Sequence, residues 1–164
     1  ARDRAAEVAG VKLVDLNLLL YAVNRDSVPH AAAKAWFEGA LAEEEAVAIP
    51  WAVLLGFLRL TTSPRIMPQP LTAEQAIAVV DGWLMLPGVV TLHPGDEHWP
   101  ILRELLSASG AAGNLTTDAH LAALAIEHGC ELCSTDGDFA RFAPLRWVNP
   151  LALTSPPTSR KDLP

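Results

Sequence analysis

Val11-Lys12-Leu13-Val14-Asp15-Leu16-Asn17-Leu18 joins a short apolar run of β type to an acid, then to an amide that can cap a helix starting at Leu18. Three further stretches place an acid where an apolar run or a turn gives way: Thr116-Thr117-Asp118, Ser134-Thr135-Asp136 and Gly137-Asp138-Phe139. In an open α/β sheet, ligands bind outside the carboxyl ends of the strands, so carboxylates at those ends converge although they are far apart in sequence. A cluster of acids without matching bases asks for a cation.

Outward from that stretch the chain alternates strands and helices. Pro29 opens a helix whose Ala32, Ala33, Trp36, Phe37, Ala40 and Leu41 fall on one apolar face. Glu43-Glu44-Glu45 reads as its solvated end. Ala46-Val47-Ala48-Ile49 is a second strand, and Pro50 starts a helix from Trp51 to Leu60. Thr72 and Gln75 form a capping box for a helix running to about Leu86, where Pro87-Gly88 stops it. Val89-Val90-Thr91-Leu92 is a third strand, followed by a helix from about Glu97 to Ala108 that Gly110 ends. Asp118 to His128 is the last helix, bracketed by Thr-Thr-Asp and Gly129. The strands Glu131–Ser134 and Arg146–Asn149 complete the set. Such alternation implies right-handed crossovers and a parallel sheet of about four to five strands covered by helices on both faces.

Length and composition narrow the function. The 164 residues fit one domain, able to bury a core without disulfide or zinc staples. Residues 1–10 read as a loose arm or an expression remnant, residues 11–153 as the domain, and 154–164, rich in Pro, Ser and charge, as a disordered tail. Hydrophobic residues make up 51% of the chain, so part of the surface is expected to meet a partner. A net charge of −7 argues against coating nucleic acid by bulk electrostatics. No apolar run is long enough to span a membrane and no signal-type stretch opens the chain, which makes the cytoplasm the expected compartment. Cys130 and Cys133 form a lone C-x-x-C without a second ligand pair, and read as small buried hydrophobes.

Taken in order, Val-Asp-x-Asn-x-Leu-Leu-Tyr, the apolar helix ending Phe-Leu-Arg-Leu-Thr-Thr, Thr-Asp-Ala-His-Leu-Ala-Ala-Leu-Ala and Ser-Thr-Asp-Gly-Asp-Phe resemble the PIN-domain ribonucleases. More narrowly, they resemble the VapC toxins of bacterial toxin–antitoxin modules, over about Val11 to Pro150. The resemblance implies a single PIN-like α/β domain that cleaves RNA phosphodiesters with magnesium or manganese, leaving a 5′-phosphate and a 3′-hydroxyl. It implies Asp15, Asp118 and Asp136 as catalytic metal ligands, Asp138 as an auxiliary ligand, and Asn17 as an amide that orders the site. Thr117 and Thr135 would offer hydroxyls to the carboxylates, while Arg59 and Arg65 would hold RNA phosphates at the mouth. A homodimer is implied, as is a VapB-like antitoxin whose basic side chain enters the acidic pocket. One position departs: where the family carries a Glu in the helix after the second strand, this chain has Gly56. Either the subfamily lacks this acid or it has been substituted, and the expectation is a weakened site.

The chemistry stands without the family name. Magnesium takes oxygen ligands and keeps several waters, and carboxylates crowded together repel until a cation joins them. Singly, each acid has an ordinary reading: Asp118 as a helix cap, Asp136 and Asp138 as turn residues. His30, His93, His98, His120 and His128 read as structural or surface groups, and Arg59 and Arg65 equally as helix-end charges. The five tryptophans read as core or interface. Two other function classes stay open. One is a weakly catalytic interaction protein, suggested by Gly56. The other is a haloacid-dehalogenase-like phosphatase, which lacks the acid two residues after Asp15.

Overall fold

A computed structural model of the chain describes residues 10–110 and 113–152. The expectations for residues 1–9 and for the tail from Thr154 fall outside the described residues. In chain order the elements are β1 (Lys12–Val14), α1 (Leu16–Val23), α2 (His30–Ala42), β2 (Val47–Ala48), α3 (Trp51–Thr61), α4 (Ala73–Leu84), β3 (Val89–Val90), α5 (His98–Ser109), α6 (Thr116–His128), β4 (Glu131–Cys133) and β5 (Trp147–Val148). A 3-10 turn, Gly137–Arg141, lies between β4 and β5.

Every strand pairing is parallel, in the order β3-β2-β1-β4-β5, so the expected parallel sheet is present with five strands. From β1 the chain moves outward to β2 and β3, then crosses back to β4. Right-handed crossovers therefore put α1 to α4 on one face and α5 with α6 on the other. The packing agrees: α1 lies against α2 and α3, α3 against α4, and α5 against α6. Because successive strands are added to one side of β1 up to β3 and to its other side from β4, the crevice beyond the carboxyl ends of β1 and β4 is the topological switch point, where such sheets bind ligands.

Burial follows the pattern of apolar residues. Leu13, Val14, Val47, Ala48, Leu132 and Cys133 line the middle of the sheet, all buried. On one face Trp83 of α4 packs edge-on to Phe57 of α3 and Phe37 of α2, with ring centroids 4.7 and 5.9 Å apart. Ala33, Phe37 and Ala40 form the buried stripe of α2. The opposite face is sealed by α6, whose Ala119 and Leu121 to Ala125 are buried. Cys130 and Cys133 are buried free thiols, and burial pushes them up to about 11 and about 12, which makes them poor nucleophiles at neutral pH.

Several boundaries differ from the sequence reading, each for a local reason. Asp15, not Asn17, caps α1: its carboxylate accepts a hydrogen bond from the Leu16 amide at 2.7 Å, so the helix begins two residues early. The Thr72–Gln75 capping box forms as expected, but α4 ends at Leu84. Helix α6 starts at Thr116, before Asp118, and no side chain caps it, while Gly129 in the left-handed region ends it as expected.

Candidate active site

The register of β1 on β4 pairs Val14 with Cys133, which brings the residues immediately after them, Asp15 and Ser134, to the same point at the switch crevice. Ser134 is fully buried and organises three strand-end residues through one hydroxyl. It donates to Asp15 Oδ2 at 2.7 Å and accepts from Asn17 Nδ2 at 3.1 Å and from the Asp136 amide at 3.0 Å. Its own backbone is fixed by the Val148 carbonyl and by the Trp147 indole N–H, at 3.0 and 3.1 Å. Sequence reasoning missed this serine. It looked to Thr135 and Thr117 for hydroxyls, yet Thr117 is exposed and neither hydrogen-bonds a carboxylate among the described residues. The signal was in the pattern: as the last residue of an apolar run, Ser134 had to turn inward with a polar atom that needed partners.

Asp15 is 8% exposed. Burial raises its carboxyl above the usual range, the Ser134 hydroxyl and the Leu16 amide pull it back, and the charge of Asp136 pushes it up again. Asp136 Oδ1 accepts from the Asp138 amide at 2.8 Å and so starts the 3-10 turn that carries Asp138 and Arg141. Asp118 reaches the crevice from the first turn of α6, because a helix that feeds a parallel strand runs antiparallel to it. It makes no hydrogen bond or ion pair among the described residues. Burial raises it to about 6, helped by Asp15, Asp136 and Asp138 and opposed by Arg141. The four acids therefore share one electrostatic field.

That field contains a base the sequence reading did not anticipate. Arg141 Nη2 donates to Asp138 Oδ1 at 2.8 Å, an i,i+3 pair that the 3-10 turn makes possible. Arg59 and Arg65 are not its equivalents. Both are exposed without hydrogen bonds or ion pairs among the described residues, Arg59 in the last turn of α3 and Arg65 in the following loop. From Trp51 to Arg59 the helix climbs about 12 Å.

Gly56 is buried in the middle of α3 and faces the start of α1. A Cβ built on it would lie 2.7 Å from Leu16 Cδ2, so the glycine lets α3 close on the helix that Asp15 caps. Helix propensity gave no reason for this residue, and the group a Cβ would meet is the end of the flexible Leu16 side chain.

Four of the histidines are tied into structure by their ring nitrogens. His98 Nε2 and His120 Nδ1 are 2.9 Å apart between α5 and α6, His128 Nε2 meets the His93 carbonyl at 2.9 Å, and His30 Nδ1 the Tyr21 carbonyl at 2.9 Å.

The donors at the crevice are hard oxygens, with the buried Asn17 Oδ1 left without a hydrogen bond beside them. Among the described residues no group of three or more His, Cys, Asp or Glu side chains is placed so that it could hold a metal ion as it stands. In chemistry, carboxylate and amide oxygens are the donors taken by a divalent cation that keeps part of its water shell.

Comparison with known proteins agrees with the arrangement. The model of the PIN domain family matches residues 12–145. Ribonuclease VapC37 of Mycobacterium tuberculosis is 45% identical over 143 residues, covering 87% of this chain and 99% of that protein. Ribonuclease VapC33 of the same species is 44% identical over 137 residues, covering 84% and 96%. The fold is shared with VapBC2 from Rickettsia felis, solved bound to a DNA fragment from its promoter, at TM-score 0.63 and 21% identity over 85% of this chain and 98% of that one. It is also shared with the sarcin-ricin loop cleaving toxin VapC20 of Mycobacterium tuberculosis, at TM-score 0.61 and 20% identity over 82% and 98%. With its strand-end acids at the switch point and kinship over most of its length, the chain belongs to the PIN-domain family, among the VapC ribonucleases.

Proposed function

We propose that this chain is a divalent-cation-dependent endoribonuclease, the toxin of a two-component module, acting in the cytoplasm. The observation that carries the reading is the Ser134-centred network, which holds Asp15 and Asp136 beside an Asp118 that no hydrogen bond satisfies. Asp15, Asp118 and Asp136 would hold magnesium or manganese, and Asn17 fixes Ser134. When bound, the cation offsets the carboxylate charge, lowers the pKa of a water and screens the phosphodiester. The protein's own part is positional. Ser134 keeps the Asp15 carboxylate aimed into the crevice, and the α1 amide at Leu16 holds its other oxygen. Asp118, easily protonated when bare, gives up that proton once positive charge enters. Water attack then leaves a 5′-phosphate and a 3′-hydroxyl.

Partners follow from surface. Trp51 and Leu55 of α3 are 47% and 59% exposed, and Ile77, Leu84, Met85 and Leu86 on and after α4 are exposed as well. Such a patch needs cover, and we assign it to a second copy of the chain and to the apolar segment of a VapB-like antitoxin. No helix among the described residues is long and apolar enough to cross a membrane.

The test is cleavage of total RNA with magnesium or manganese against a chelator control, with end-group analysis of the products. Cation-dependent cuts bearing 5′-phosphates are expected. Equal cleavage with chelator would overturn the reading. Light scattering and co-purification with the neighbouring gene product test the partners; a monodisperse monomer that retains no small protein would remove the toxin assignment.

A further inference from the structure

Of the four charged groups that act on Asp118, three are acids and one is basic, Arg141. A chain of net charge −7 whose cleft is lined by carboxylates must still admit a polyanion. Arg141 stands where that problem arises. It closes the 3-10 turn that begins at Asp136, on the rim of the crevice, and its guanidinium is tied to Asp138 by a single hydrogen bond. Both side chains are about half exposed, 44% and 50%, so the pair is screened and exchangeable. An arginine has five N–H donors in a planar fork suited to phosphate, and one bond to Asp138 leaves the rest of the fork open.

We propose that Arg141 binds a backbone phosphate of the RNA at the mouth of the acidic crevice, and that Asp138 acts as a positioning residue for Arg141. This rests on the nuclease reading and deepens it, since it separates the acids by role: Asp15, Asp118 and Asp136 serve the cation, while Asp138 serves the substrate through Arg141. The geometry favours the split. Asp138 is the most exposed of the four, and one of its oxygens already faces a guanidinium.

Three measurements test it: binding of a labelled 2′-O-methyl RNA oligonucleotide in calcium at several salt concentrations, manganese binding by calorimetry without RNA, and steady-state cleavage. Arg141→Ala is expected to weaken oligonucleotide binding about tenfold and to lower the salt slope by about 0.7, the value of one single-strand phosphate contact. Its KM should rise while kcat stays within about twofold, the signature of lost uniform binding. Arg141→Lys should restore the salt slope but only part of the affinity, because a point charge replaces a fork. Asp138→Asn should weaken oligonucleotide binding in the same direction, by about threefold, and leave manganese affinity within about twofold. Unchanged binding and slope in Arg141→Ala would overturn the proposal. So would a loss of manganese affinity in Asp138→Asn of about tenfold or more, which would make Asp138 a metal ligand. If the unmodified protein binds the oligonucleotide through Arg141 yet cleaves no RNA with any divalent cation, the nuclease reading fails and the phosphate contact stands.

Discussion

Helix α6 carries two clusters of ionisable side chains that treat charge in opposite ways. At its first turn, Asp118 joins Asp15, Asp136 and Asp138, whose charges together raise its cost of ionisation against the opposing Arg141. Further along, His120 and Glu127 meet His98 of α5. There the polar groups pair mostly with one another: His98 Nε2 lies 2.9 Å from His120 Nδ1 and Glu127 Oε2 accepts from the Gly95 amide at 3.1 Å, while the buried His98 Nδ1 lies 3.5 Å from Glu127 Oε2, within ion-pair reach but without a hydrogen bond. The histidine cluster is held largely by its own members. The acidic cluster is unfinished, and an arrangement that folding leaves unfinished is one that a ligand completes. The same helix thus presents Asp118 to the crevice and, from His120 to Glu127, sets polar groups against α5.

The sharpest way to break this contrast is to neutralise one member of each cluster. Asp118→Asn is expected to lower cation-dependent RNA cleavage at least about a hundredfold, equivalent to about 2.7 kcal/mol of transition-state stabilisation. Calorimetry should show weakened manganese binding at the same time. Cleavage within threefold of the parent, about 0.65 kcal/mol, would mean that Asp118 is an ordinary helix-start acid.

His98→Ala should do the reverse. It leaves His120 Nδ1 without its partner and opens a gap where a 7% exposed ring stood, so denaturant unfolding should lose about 2 kcal/mol. Cleavage per folded molecule should stay within about twofold, since none of Asp15, Asp118, Asp136 and Asp138 loses a contact. A loss of activity without a loss of stability would join the two clusters into one functional unit and end the contrast.

How far this division was legible in the sequence depends on what each residue answers to. Asp15, Asp118, Asp136 and Asp138 could be found because strand ends and helix starts are local signals and the switch-point rule collects them. The parallel sheet followed from alternation alone. Ser134, Arg141 and the His98–His120 pair could not be found that way. Ser134 and Asn17 meet across 117 positions of sequence, and His98 and His120 meet only because α5 packs on α6. The cap of α1 was misassigned for a related reason. Asp and Asn are equally good caps by propensity, and the backbone bond from the Asp15 amide to the Cys133 carbonyl settles which of them sits at the end of the strand.

Gly56 sharpens the comparison from the acidic side, since it bears on how unfinished that cluster is. Gly56→Glu adds a carboxylate beside the start of α1 and should raise cation-dependent cleavage about tenfold, about 1.4 kcal/mol. Gly56→Ala is its control. It displaces Leu16 by the same close contact but brings no charge, and its helix-propensity gain of about 1 kcal/mol works against that displacement. A rise in both variants would assign the effect to α3–α1 packing, and a rise in neither would show that the three ligand acids suffice.

The smallest effect expected is on stability against pH, measured without divalent cations. Asp118 is raised to about 6 in the folded state from the 3.8 ordinary for an aspartate, so above pH 6 the folded chain holds a charge that its surroundings oppose. As pH falls from about 6 towards 4 the folded state takes up a proton that the unfolded state does not, and stability rises. Asp15, raised in the same direction, adds to this. His120 pulls the other way: burial and His98 lower its pKa, so acid favours the unfolded chain, which binds that proton more readily. The two clusters on α6 therefore have opposite pH signatures, and the difference between parent and Asp118→Asn isolates the acidic one. Asp118→Asn should be more stable than the parent at pH 7.5, by on the order of 1 kcal/mol once solvent screening is allowed for, and the gap should close by pH 4.5. A gap of constant size across that range would mean that the substitution acts through packing and that Asp118 carries no strained charge.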